Sequence, residues 1–415
     1  RVHPGAAIGA IECASHEVVV QQESSDGAVV TLRDGATIPN RDFVLRYKVA
    51  DDRTRPAVVT YERSGERWFA ATLYPAKIQD ERRRLPMEVV FVIDCSGSME
   101  GAPIEQAKAA IDAGLGRLTP ADSFQIIRFS DQASTFSNRP VAATQENIAR
   151  ARRHVRGLHS EGGTMMLNGI RAALDDDNAR DRERLRFVVF LTDGFIGNEA
   201  EILTAMDDRI GRTRVFSFGV GSSTNRYLMD RMAKVGRGAV AYLPLSADAG
   251  AVMDSFFDRV TRPVMTDLEL IVDGRPMPGV FPATSPDLFS GRAVTLAGRI
   301  EGAWPRDVRV RGRLGGETVE IAVPLDGPGV ATSEALPAVI ARMQIADLMD
   351  RAIREPGEDP SARVLQIALA NGLMSAYTAY VAVDSSRVTE GDYGVTVGVP
   401  VPVPEGVRYE NTVQR

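Results

Sequence analysis

"MEVVFVIDCSGSM", residues 87–99, is the stretch that decides the fold. Met87 to Asp94 form a near-continuous apolar run that ends in an acid. A strand with one wet face alternates apolar and polar residues, but a strand covered by helices on both faces does not. The run therefore reads as a buried strand of a parallel sheet, with Asp94 at its carboxyl end. The next turn leads into "PIEQAKAAIDAGLGRL", where Ile104, Ala107, Ile111, Leu115 and Leu118 share one helical face. Pro103 suits the first turn of that helix.

Moving outward, three more strand-like runs appear: "SFQIIRFS", "RFVVFLTDG" and "RVFSFGVG". Helical stretches separate and follow them: "ENIARARRHVRGL", "MLNGIRAALDD", "EAEILTAMDDRIG", "NRYLMDRMAKVG" and "AGAVMDSFFDRV". Strands alternating with helices of this length imply βαβ units, so residues 87–262 are expected to be an α/β, doubly wound, mostly parallel sheet.

The flanks differ. Residues 1–80 are short β-branched or aromatic runs such as "AVVTYE" and "RWFAATLYP", and the charged "QDERRRLP" after them reads as a linker. Residues 263–330 return to strands and are expected to be β-sandwich-like, with "LGGE" as a hairpin turn. Residues 331–386 are read as helices over 334–355 and 361–373, closed by a strand, "AYTAYVAVD". An apolar stripe of Leu336, Val339, Ile340, Met343 and Leu348 marks the first helix. In residues 387–415, "VPVPVPEGV" requires an extended tail, because each proline blocks helix and central-strand pairing.

The 415 residues are 44% hydrophobic and 25% charged, which places the chain among globular proteins of two to three domains. A net charge of −6 argues against nucleic-acid binding. The only lysines are Lys48, Lys77, Lys108 and Lys234, and the many arginines are spread without forming a patch. No apolar run reaches the roughly 18–20 residues that span a bilayer. With no initiator Met and no leader-like segment, the chain is expected to be a mature or truncated piece. Two cysteines, Cys13 and Cys95, are read as free thiols. There is no "GxxxxGK[ST]", no "HExxH", no zinc-spaced Cys/His cluster and no "GxSxG", and the chain is expected not to be an enzyme.

The chemistry lies at the strand ends. Asp94, Ser96 and Ser98 fall within five residues. In open α/β sheets ligands bind outside the carboxyl ends of the strands. "EGGTMM" brings Thr164 toward that edge on a Gly-rich loop, and "FLTDG" brings Asp193 there at the end of another buried strand. Alone, "DCSGS" is also what a helix N-cap region looks like. The two additional segments turn the motif into a site. All five groups are oxygen donors, which suits Mg²⁺, Ca²⁺ or Mn²⁺. Three are neutral hydroxyls, so a divalent ion would stay under-neutralised and open to an Asp or Glu carboxylate from a protein partner.

"VVFVIDCSGSM", "GGTMM" and "FLTDG" together resemble a von Willebrand factor type A domain with its metal-ion-dependent adhesion site. Residue by residue, Asp94, Ser96 and Ser98 match the family's first loop, Thr164 the second and Asp193 the third. "SHEVVV" and "NRDFVLRY" resemble the second half of the vault protein inter-α-trypsin (VIT) domain, whose first half is missing. "GRGAVAYL", "PVMTDLEL" and "GLMSAYTAYVAV" are similar to bacterial relatives of the inter-α-trypsin inhibitor heavy chains. The heavy chains' Asp-Pro-His processing motif is absent, since Ser361 follows Asp359-Pro360. The resemblance implies a metal-dependent adhesion or protein-binding module of the cell envelope or exterior. The alternative it leaves open is an intracellular scaffold serving a separate ATPase. Among other residues, His16 is expected to pack or hydrogen-bond, and His154 and His159 to be solvated. Cys95 is expected to be a small buried side chain rather than a reactive thiol. Phe195 and Ile196 are either an apolar rim beside the metal or core.

Overall fold

Residues 87–94 bury every side chain except Glu88 to below a tenth of its exposure, so this strand can sit only at the centre of a covered sheet. In the computed structural model the described residues are 1–5, 7–33, 43–49, 54–75, 86–175, 184–194, 196–221, 224–261, 263–314, 317–327, 330–355, 357 and 359–380. Within the α/β unit we number the elements β1 (Met87–Asp94), α1 (Ala102–Gly116), β2 (Ser123–Phe129), β3 (Ala133–Thr135), β4 (Val141–Ala142) and α2 (Gln145–Arg156). They continue as α3 (Met166–Leu174), β5 (Leu185–Thr192), α4 (Glu199–Asp207), β6 (Arg214–Val220), α5 (Arg226–Val235), β7 (Arg237–Leu243) and α6 (Ala249–Val260).

The sheet order is β4-β2-β1-β5-β6-β7, with β3 against β2. Strands β2, β1, β5, β6 and β7 are parallel, while β3 and β4 pair antiparallel with β2. The order reverses between β1 and β5, the point where a doubly wound sheet opens a crevice for ligands. Helices α1 and α6 cover one face with Ile104, Ala107, Ile111, Met253 and Phe257, and α3, α4 and α5 cover the other with Ile170, Met206 and Met229. Phe91 and Phe257 press so closely on Gly114 of α1 that a Cβ there would lie 2.8 Å from Phe91 Cζ. The expected α/β, doubly wound and mostly parallel fold is observed.

The β flanks join across the sequence. Strands Arg55–Arg63 and Glu66–Tyr74 form a hairpin, and Glu66–Tyr74 pairs in unbroken register with Val294–Ile300. Val330–Thr332 closes the far side of that sheet against Arg55–Arg63. A second sheet holds Pro263–Val272, Val308–Leu314 and Glu317–Ala322. One apolar cluster, including Phe69, Leu73, Leu270, Leu296 and Val310, lies between them. Thus residues that the sequence reading put in separate blocks, 1–80 and 263–330, share a sheet and a core. Leu314 and Glu317 are paired antiparallel, as expected of the strand ends in "LGGE", whose two glycines lie outside the described residues.

Helices α7 (Leu336–Arg354) and α8 (Ser361–Ala370) follow. Leu336 and Ile340 are buried against the hairpin sheet, but Val339 is half-exposed, so the predicted stripe is narrower than its sequence pattern. At the start of the expected closing strand, Ala376 and Tyr377 form a turn closed by an isolated bridge between Ser375 and Thr378, and Ala379 and Tyr380 join no strand. The rest of that strand, the "QDERRRL" part of the linker and the tail lie outside the described residues. Among the described residues no helix is long and apolar enough to cross a membrane.

Candidate metal site at the sheet's carboxyl edge

Three segments build the site: the turns that follow β1 and β5, and the loop between α2 and α3, which is held against the end of β2. Asp94, the last residue of β1, has no exposed surface. Its Oδ1 accepts the backbone N–H of Ser96 at 2.9 Å, which curls the chain back over the strand end. Its Oδ2 accepts the Thr192 hydroxyl at 2.6 Å from the neighbouring β5. Ser96 is buried and Ser98 exposed, and their hydroxyl oxygens lie 3.2 Å apart. The short turn Gly97–Met99 then hands over to α1 through Gly101, whose φ of 82° few side chains tolerate.

The second loop is stitched to the first by two backbone bonds. Gly97 N–H donates to Gly162 O at 3.1 Å, and Glu161 N–H to Cys95 O at 2.7 Å. Asp131, just past β2, holds the same loop from the other side: its Oδ1 accepts Gly163 N–H at 2.9 Å and its backbone oxygen accepts Asn168 Nδ2 at 3.0 Å. Arg128 adds an ion pair to Glu161 at 2.7 Å. Thr164 follows directly on this anchored segment and is half-buried.

Asp193 follows β5. It is buried, and its backbone oxygen accepts Asn225 N–H at 2.8 Å. Burial pushes the Asp94 carboxyl above its usual range, while hydrogen bonds from Ser96 and Thr192 pull it down and the charge of Asp193 pushes it up again. The structure therefore ties Asp94, Ser96 and Ser98 together directly, brings Asp193 within electrostatic reach of Asp94 and fastens Thr164's loop to the first turn. The donor set fits a hard divalent cation. It holds oxygens only, and a cation beside Asp94 would relieve both the burial of that carboxylate and its repulsion by Asp193.

Sequence reasoning passed over Thr192, Asp131 and Arg128. Thr192 carried a signal, because it is a hydroxyl at the end of an otherwise apolar strand. Asp131 and Arg128 carried none, since their role depends on where the second loop folds back. Ile196 is half-buried and packs against the α3–α5 face, which is the core reading, and Phe195 lies outside the described residues. Cys95 is fully buried and burial pushes its thiol up to about 11, so it is not a ready nucleophile. Cys13 and Cys95 are free thiols. His16 is buried to 9% exposure, hydrogen-bonds Ser15 at 3.0 Å and packs on Phe43. His154 departs from expectation: it is half-buried with its ring 5.4 Å from Phe136, and burial, then Arg128, lowers its pKa. His159 is exposed, 3.4 Å from Glu161.

Residues 87–242 match the family model described as von Willebrand factor type A domain. The chain is 28% identical over 315 residues to inter-alpha-trypsin inhibitor heavy chain H4 of Sus scrofa, covering 72% of this chain and 32% of that protein. It is 24% identical over 368 residues to heavy chain H1 of Bos taurus, covering 82% of this chain and 40% of that protein. It thus spans well under half the length of these curated relatives. Among solved structures, a von Willebrand factor type A protein from Catenulispora acidiphila aligns with a TM-score of 0.50 at 15% identity, over 77% of this chain and 88% of that one. This last likeness concerns the fold.

Proposed function

Residues 87–242 belong to the von Willebrand factor type A family, and we propose that they act as a divalent-metal-dependent protein-binding module whose metal receives an Asp or Glu carboxylate from the partner. Domains of this family mediate protein–protein contacts, and the finer reading rests on one observation. A fully buried carboxylate, Asp94, stands at the strand-order reversal with its oxygens fixed by Ser96 N–H and the Thr192 hydroxyl. It lies directly beneath a pair of serine hydroxyls that reaches the surface at Ser98.

Asp94, Ser96, Ser98, Thr164 and Asp193 would hold Mg²⁺, Ca²⁺ or Mn²⁺. When bound, such an ion supplies a Lewis-acidic position that two carboxylates and three hydroxyls leave short of negative charge. The chain's own part is to orient these donors and to keep Asp94 away from competing water. Exposed Ser98 and half-buried Thr164 mark the side from which a partner's carboxylate approaches. A place at the cell envelope or exterior, implied by the sequence resemblance, belongs to the same proposal, and protease shaving of intact cells checks it.

Isothermal titration calorimetry with MgCl₂, CaCl₂ and MnCl₂ is the primary test. One ion per chain is expected, with binding lost in Asp94→Ala. Absence of binding by all three metals at millimolar concentration overturns the proposal.

A further inference from the structure

A cavity of about 590 Å³ lies between α6, the outermost strand β7 and the turn at 289–292, and shares no lining residue with the metal site. Its size falls within the roughly 300–1,000 Å³ of small-molecule sites. Phe216 and Phe218 of β6, Phe256 of α6 and Phe289 form its floor. These rings pack edge-to-face, with Phe216 and Phe256 centroids 4.8 Å apart and Phe218 and Phe256 centroids 5.2 Å apart. The rings are almost fully buried, and the space above them is left by the small side chains of Ala239 and Ala241 on β7, where larger ones would have filled it.

Two arginines, Arg259 and Arg292, share this lining. Arg292 donates from Nη1 to Gly238 O at 2.7 Å, which fixes it to the strand edge. Neither guanidinium has an acidic partner among the described residues. Burial and then the charge of Arg259 lower the pKa of Arg292, so the two cations feel each other. An anion between them would relieve that repulsion, and an apolar body attached to the anion would cover the partly exposed side chains of Ala239, Ala241 and Val252.

We infer that this cavity binds a small organic acid with an apolar body, the carboxylate held by Arg259 and Arg292 and the hydrocarbon laid on Ala239, Ala241 and Val252 above the buried phenylalanine cluster. The inference is independent of the metal site, and its test keeps the two apart.

Decanoate, 1-decanol and acetate are titrated by calorimetry into the whole chain in EDTA, so that no carboxylate is captured by a divalent ion. Decanoate is expected to bind one per chain, at least about tenfold tighter than decanol, as a charge-assisted contact provides. Acetate is expected not to register. Arg259→Gln combined with Arg292→Gln should erase the preference for decanoate over decanol. Ala241→Leu should fill the cavity and abolish binding of both, with circular dichroism confirming that the fold is kept. Asp94→Ala should change nothing. Equal binding of decanoate and decanol, no binding of either, or unchanged decanoate binding in a folded Ala241→Leu variant overturns the inference.

Discussion

The Thr192 hydroxyl donates to Asp94 Oδ2 at 2.6 Å, joining the ends of β5 and β1 at the sheet's reversal point. The same Thr192 oxygen accepts Gly194 N–H at 2.8 Å, so one side chain orients both the buried carboxylate and the turn that follows Asp193. Thr192→Val keeps the shape and removes the hydroxyl. Groups that orient a metal's ligands typically contribute about 10–100-fold in affinity. Calorimetry should show Mg²⁺ binding weakened within that range while circular dichroism stays unchanged. Unaltered affinity would mean that Asp94 is oriented without Thr192.

Gly162 connects the second loop to the first, and its φ of 72° lies in the left-handed region. A Cβ there would come within 2.2 Å of Asp131 Oδ2, the carboxylate that anchors the loop. Gly162→Ala is therefore expected to displace the segment carrying Thr164 and to weaken metal binding, with a stability loss of about 1–3 kcal/mol from backbone strain. Urea denaturation and metal titration on the same variant check both parts.

Arg214, at the start of β6, is 1% exposed and donates to Asp287 at 2.6 and 3.0 Å and to Asp267 at 2.8 Å. It fastens the base of the α/β sheet to the sandwich, since Asp267 lies on the strand Pro263–Val272. Asp287→Ala leaves a buried guanidinium short of its bidentate partner. That should cost about 3–5 kcal/mol, whereas Arg214→Met combined with Asp287→Leu should cost less. A chemical-denaturation cycle that found the double variant no better than the single one would contradict this account.

Asp267 supplies a pH dependence. Burial alone would raise its carboxyl, but Arg214, then Arg212 and Arg237, outweigh burial and hold it below the ordinary 3.8. A folded-state pKa that is depressed contributes stability fully above the unfolded value and loses it as pH falls through the folded one. The contribution should be intact above pH 3.8 and decline below it. Because Asp267→Asn cannot titrate, the difference in unfolding free energy between wild type and this variant should shrink as pH drops below that value. A difference that is constant with pH would show that Asp267 is not held by these arginines.

What the sequence determined by itself was local or periodic. Met87–Asp94 read as a doubly covered strand because eight residues without a polar alternation have no wet face to offer. The helical face of Ile104, Ala107, Ile111 and Leu115 followed from the spacing of 3.6, and all four are buried as expected. Asp94, Ser96, Ser98, Thr164 and Asp193 stood out because each sits beside a strand end or glycine turn, and a doubly wound sheet gathers such positions at one edge. Tertiary structure alone decided which distant segments meet. The pairing of Glu66–Tyr74 with Val294–Ile300 spans more than two hundred residues, and no local pattern specifies a strand's neighbour across that distance. The same holds for Asp131 reaching Gly163, for Arg214 between Asp267 and Asp287, and for the cavity beside Ala239 and Ala241. A backbone pattern fixes which face of an element is buried, but the partner on that face is chosen by packing and charge among segments that the chain brings together only when it folds.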